Sequence, residues 1–166
     1  MRNGNAKQIS DLRDTLSQIY IPDEEFEADF STLRLKARGV SGKRLRYLLA
    51  KIEKQKSGLD ISDETMQATI EHILPENPAE TGWEAFSAEA QDRSSERVGN
   101  YTLLERSLDS TKAGNASFSS KLDAYRKSAY KLTTELSNFY DWTEDAIAQR
   151  QSAMAKVAKS IWSIPL

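Results

Sequence analysis

The chain has 166 residues, 39% of them hydrophobic and 29% charged, and it contains no cysteine. A chain of this length buries roughly two-thirds of the surface its unfolded form exposes, so it folds as one globular body without disulfides. Thiolate metal sites are excluded as well, which leaves carboxylate, amide or imidazole ligands and so a hard cation such as Mg²⁺ for any metal it holds.

No apolar run approaches the ~20 residues that cross a bilayer, and the opening Met1-Arg2-Asn3-Gly4-Asn5 lacks the apolar stretch of a signal peptide. The chain therefore reads as cytoplasmic, with no membrane partner. Its net charge of −2 counts against a protein that wraps nucleic acid, because backbone binding neutralises phosphates. The distribution counts for more. From Arg34 to Lys56 the charged residues are Lys and Arg with Glu53 as the only acid, a basic segment in an acidic chain.

Three helices are expected first. Ile9, Leu12, Leu16 and Ile19 have helical spacing over about 6–20, and Pro22 stops the pattern. Acids in a first turn and Phe26, Phe30 and Leu33 on one face predict a second helix over about 23–37. The third begins at Ser41 as N-cap, carries Leu45, Leu48, Leu49 and Ile52, and ends at Gly58. After Asp60 the pattern changes. Residues 65–74, closed by Pro75, suit a short strand, and 98–104 a second one, with a polar stretch holding one short helix between them. Helical spacing returns from Ser117, and a last helix over about 143–162 is capped by Thr143. Trp83, Phe86, Phe118, Tyr125 and Trp162 read as core. The expected fold is α+β and mainly α-helical. A helical segment with a basic helix occupies 1–60, and the unit that carries the chemistry occupies 61–166.

His72 is the only histidine, placed at the end of the first strand in Ile70-Glu71-His72-Ile73-Leu74-Pro75. An isolated histidine is more often packed than catalytic, but here its neighbours matter. Glu71 precedes it, and Asn100 and Asp109 follow. If the two strands pair and the chain then enters a helix, these residues converge on one concave site. Such a site contains what phosphodiester hydrolysis needs: an imidazole to take a proton from water, an amide to fix it, and carboxylates to hold a cation.

Three separated runs carry a resemblance. They are Glu71-His72-Ile73-Leu74-Pro75-Glu76, then Val98-Gly99-Asn100-Tyr101-Thr102-Leu103-Leu104, then Leu108 to Phe118. In this order they resemble the C-terminal nuclease domain of GmrSD-type modification-dependent restriction enzymes, over roughly 65–165. Tyr125, Ser128 to Tyr130, Arg150-Gln151 and Ile161-Trp162 are similar to that family's tail. The acid-His pair, the Asn and an acid nine residues later also resemble the wider HNH (His-Me finger) nucleases. That resemblance implies a ββα-metal core, a strand hairpin plus a helix, embedded in the helical domain. It implies a DNA endonuclease that uses Mg²⁺ or Mn²⁺. His72 would be the general base, Asn100 the residue that holds hairpin and histidine, and Glu71 and Asp109 the metal ligands. Lys112 is placed to meet a phosphate oxygen. Asp109 stands where the group usually has Asn or His, so Asn115 is an alternative ligand.

Lys43, Arg44, Arg46 and Arg97 are the candidate DNA-backbone contacts, weighed against an ordinary solvated helix face. No phosphate-cradling Gly-rich loop is present. By resemblance, target choice then rests with a nucleotide-hydrolysing, modification-sensing partner, either an N-terminal domain or a separate chain. Two other classes stay open. One is a degenerate DNA-binding or interaction module that no longer holds metal. The other is an RNase or toxin nuclease with the same site.

Overall fold

In the computed structural model, the described residues are 20–61, 68–78, 82–108 and 114–163. The helix expected over about 6–20 falls, but for Tyr20, on residues outside this set, as do Asp109 and Lys112.

Among the described residues, helices and strands follow in this chain order: α1 (Asp23–Thr32), α2 (Gly39–Ser57), β1 (Ala68–His72), α3 (Ala88–Ser95), β2 (Tyr101–Glu105), α4 (Phe118–Tyr125), α5 (Lys131–Thr134) and α6 (Glu144–Trp162). The α+β, mainly helical architecture expected from the sequence is the one observed. Short 3₁₀ turns at Val98–Asn100 and Glu135–Asn138 lead into β2 and follow α5.

Helix α6 organises the rest. Thr143 caps it by accepting from the Ala146 amide, satisfying one of the donors every helix start leaves open. Ile147, Gln151, Met154, Ala155 and Ala158 fall on one buried stripe, as 3.6-residue periodicity requires. Helix α1 lies along that stripe. Helix α2 presents Leu45, Leu49 and Ile52 to the same core and stops at Gly58, whose φ of 78° supplies the left-handed cap. The buried Glu53 of α2 accepts from the backbone amides of Lys131 and Leu132, 2.9 and 2.8 Å away, and so caps the start of α5.

The strands pair antiparallel with Ile70 opposite Leu103 and His72 opposite Tyr101. Alternation along β2 sends Leu103 into the core with α1, α2 and α6, and Leu104 into a second core with Ile73, Leu74, Trp83, Phe118 and Trp142. The hairpin is thus covered on both faces, and its last pair, His72 and Tyr101, comes out at one end between the cores.

Three local expectations change. The second strand, expected over 98–104, runs Tyr101–Glu105, because Val98–Asn100 turn as a 3₁₀ helix held against α6. Helix α1 ends at Thr32 rather than near Gly39, because the next residues pair with another segment. The Leu35 amide donates to Glu96 at 2.9 Å, the Val98 amide to Leu33 at 3.1 Å, and Arg34 bridges Arg97. Those bonds compete with continued helix and win. Ser41 lies inside α2, with Arg38 at the N-cap position, and its Oγ instead accepts from the Lys36 amide at 3.0 Å.

The turn entering β2 is held against α6. The Gln151 Oε1 accepts from the Gly99 amide at 3.2 Å and its Nε2 donates to the Phe30 and Leu33 carbonyls at 2.7 and 2.9 Å. Buried Arg150 donates to the carbonyls of Gly99, Tyr101 and Leu132 at 2.7, 2.7 and 3.2 Å. Burial pulls the Arg150 pKa down to about 10, which still leaves it charged at neutral pH. The backbone approach is close enough that a Cβ on Gly99 would sit 2.5 Å from the Ile147 carbonyl oxygen and 2.8 Å from the Gln151 Cβ. We expect Gly99→Ala to destabilise the fold by about 1–3 kcal/mol through overpacking, read as a shift of the urea midpoint at unchanged slope.

Candidate active site

The candidate site is a cleft of about 240 Å³ at the connected end of the hairpin, where His72 closes β1 and Tyr101 opens β2, lined by Glu71, His72, Pro75, Glu76, Asn77, Gly114 and Asn115. Three of the residues singled out from the sequence, Glu71, His72 and Asn115, meet there. The fourth, Asn100, lies behind it.

His72 occupies the last position of β1 with its side chain about one-fifth exposed. Its ring packs edge-on against Tyr101, centroids 4.7 Å apart. The Tyr101 hydroxyl donates to the Leu35 carbonyl at 2.9 Å, and burial raises its pKa, so this wall of the site is neutral and fixed. The Nε2 of His72 is buried and has no hydrogen-bond partner among the described residues. A Glu76 carboxylate oxygen stands 3.5 Å from it, too far for a good hydrogen bond but close enough to favour a proton on the ring. Burial lowers the His72 pKa below its ordinary 6.5, against an opposing pull from Glu76. The imidazole is therefore held in its neutral, proton-accepting form.

Asn100 is fully buried. Its Oδ1 accepts from the Leu74 amide at 2.8 Å and the Trp142 indole at 3.0 Å, and its Nδ2 donates to the Leu74 and Ser95 carbonyls at 2.9 and 3.1 Å. None of these bonds reaches the imidazole. The amide fixes the backbone two residues past His72, and the Asn100 carbonyl accepts from the Ile73 amide at 3.0 Å. The expected hold on the hairpin is direct, and any hold on the ring passes through the chain.

Glu71 is almost buried. Lys121 Nζ lies 2.8 Å from its Oε1 and donates also to the carbonyls of His72 and Ile73 at 2.8 and 3.1 Å. The Tyr125 hydroxyl donates to the same Oε1 at 3.1 Å. Lys121 is wholly buried, with its ammonium 5.9 Å from the centre of the Trp83 ring. Sequence reading did not single it out. Its one trace there is a charge on the inner side of a helix that otherwise buries Phe118, Ala124 and Tyr125.

Glu76 was also passed over. It closes the cleft mouth and receives Arg38, whose NH2 lies 3.2 and 3.3 Å from its two carboxylate oxygens. The candidate DNA contacts scatter. Arg97 donates to the Ser31 carbonyl at 2.7 Å and Gln151 Oε1 at 3.1 Å. Arg46 donates to the Ala68 carbonyl at 2.9 Å. Lys43 and Arg44 line an apolar groove of about 510 Å³ with Phe26, Phe30, Tyr47 and Trp162.

Fold and cleft together define an α+β domain in which a two-stranded hairpin, clasped by helices, presents a neutral histidine to a small cleft rich in oxygen donors. Residues 20–157 match the family model of the GmrSD restriction endonucleases' C-terminal domain, and the chain belongs to that family. It is thus a domain of restriction-endonuclease type. No curated protein matches the chain.

Proposed function

We propose that this domain is a metal-dependent HNH-type endonuclease that hydrolyses DNA phosphodiester bonds, with His72 as general base. The observation that carries the reading is the imidazole at the cleft, its Nε2 without a hydrogen-bond partner among the described residues, in surroundings whose burial favours the neutral, proton-accepting form. Helices α1 and α2, from the segment 1–60, pack on α6 of the unit 61–166 and would keep the nuclease hairpin rigid. A nucleotide-hydrolysing, modification-sensing partner would choose the target, and the cytoplasm would be its place of work.

The cleft's donors suit a hard cation, since Glu71, Glu76 and Asn115 offer oxygen atoms. Among the described residues no three His, Cys, Asp or Glu stand together as a metal cluster, so Asp109 is the carboxylate we assign to complete the set with Glu71. Bound Mg²⁺ or Mn²⁺ would supply positive charge against the scissile phosphate. The protein's own part is to hold the phosphate beside His72, accept the proton of the attacking water there, and exclude bulk water with Tyr101 and Pro75. Lys112 would face a phosphate oxygen.

Relaxation of supercoiled plasmid with and without Mg²⁺ or Mn²⁺, next to matched RNA, tests the activity and separates DNA from RNA cleavage. Metal binding has its own check. Asp109→Ala and Glu71→Gln should each reduce the Mn²⁺ bound in calorimetry. Normal binding by Asp109→Ala alongside loss in Asn115→Ala would move the ligand to Asn115. A second reading has one observation in its favour: Lys121 already neutralises Glu71, as in a degenerate module that only binds DNA. Absence of Mn²⁺ binding by the wild-type protein would favour it.

A further inference from the structure

We infer that Arg38 is a phosphate-binding residue of this site and that Glu76 holds its place until a DNA phosphodiester displaces it. The inference rests on the nuclease reading above for the identity of the ligand, and it moves the grip on DNA from α2 to the cleft mouth.

Arg38 is mounted rigidly. The segment before it is tied to the β2 turn by the Leu35 amide to Glu96 and the Val98 amide to Leu33, and to the wall of the site by the Tyr101 hydroxyl on the Leu35 carbonyl. The guanidinium itself is open to solvent, its side chain 77% exposed. It meets Glu76 through one nitrogen at 3.2 and 3.3 Å, while the same Glu76 Oε1 is 3.5 Å from His72 Nε2. One carboxylate therefore stands between an arginine and the proposed base, where a phosphate has to sit for His72 to act on water beside it. A phosphodiester oxygen offers the guanidinium the same charge-assisted bonds as a carboxylate oxygen. An exposed ion pair of this kind is weak, so exchanging Glu76 for phosphate costs little. Moving the Glu76 side chain, itself 45% exposed, also uncovers Nε2 and takes a negative charge away from the incoming phosphate. Arg46 and Arg97 have no comparable freedom, since both donate to backbone carbonyls, and Lys43 and Arg44, though exposed, border an apolar groove rather than the cleft that holds His72 and Glu76.

The two partners should act with opposite sign. Binding of a short labelled DNA duplex to the full chain is followed by fluorescence anisotropy in EDTA, where nothing is cut. Arg38→Gln should weaken binding and reduce the slope of log affinity against log salt by about 0.9, while Arg38→Lys should keep the slope. Glu76→Gln should tighten binding by up to about fivefold, and that gain should shrink in the Arg38→Gln background, where no guanidinium is left to release. Unchanged affinity and slope in Arg38→Gln would overturn the assignment. So would weaker binding by Glu76→Gln, which would make Glu76 a residue that shapes the cleft mouth for DNA, or an equal Glu76→Gln gain in both backgrounds. Both side chains are exposed, so thermal melts should show all variants folded. The binding readout is independent of cleavage, so an active His72→Ala would sink the proposed chemistry while leaving the Arg38 result to be judged by itself.

Discussion

Replacing His72 with Ala should abolish plasmid cleavage while leaving the fold and Mn²⁺ binding close to wild type. The side chain is partly exposed and its Nε2 has no hydrogen-bond partner among the described residues, so its loss removes mainly the edge contact with Tyr101 and the 3.5 Å approach to Glu76. General-base catalysis contributes typically 10²–10⁴-fold, and a loss of that order in the single-turnover rate is the expected result. A fully active variant would sink the proposed mechanism. The same residue offers an independent check, because the chain's single histidine gives a single imidazole signal in NMR. In the metal-free protein that signal should titrate below 6.5, since burial lowers the pKa. By linkage, a depressed folded-state pKa means the unfolded chain takes up the proton first. Stability contributed by neutral His72 is then present above pH 6.5 and is lost as pH falls through the folded-state value. A midpoint above 6.5 would mean that Glu76 outweighs burial.

Lys121→Met should be the most destabilising of the substitutions considered, costing about 3–5 kcal/mol, the usual result of leaving one member of a buried ion pair alone. Lys121 and Glu71 are both out of solvent, and the ammonium also ties down the carbonyls of His72 and Ile73. The double variant Lys121→Met with Glu71→Gln removes both charges and should recover part of the loss. Urea unfolding measures both. If the single variant is as stable as wild type, the pair contributes nothing net to the fold. If the double variant is no better than the single, the loss came from the backbone carbonyls and not from the stranded carboxylate.

The periodic elements were legible in the sequence because local chemistry sets them. Thr143 as the cap of α6, Gly58 as the end of α2 and the apolar stripes between them all appear where spacing put them. The two strands were legible too, and with them His72, Glu71 and Asn100, since an acid-His pair, an Asn and their order along the chain survive without any knowledge of packing. The end of α1 was not legible. The residues after Thr32 have ordinary helical composition, and only the distant Glu96 to Val98 segment draws them into a bridge. The role of Asn100 was half legible: the residue could be picked out, but its bonds to Leu74, Ser95 and Trp142 exist only once three separate segments meet.

Charge was the least legible feature. Arg38, Lys43, Arg44, Arg46, Arg97 and Lys121 look alike in a sequence, as cations on polar stretches. Tertiary structure alone decides that Lys121 is buried against Glu71, that Arg46 and Arg97 are held by backbone carbonyls, and that Arg38 stands in solvent one carboxylate from His72. What a charge does depends on its desolvation and on partners far away in the chain, and neither quantity is local. Local chemistry along the chain dictates the helical class, the hairpin and the histidine at its end, because periodicity, caps and turn residues act over a few positions; which carboxylates and cations surround that histidine is a matter of packing between distant segments.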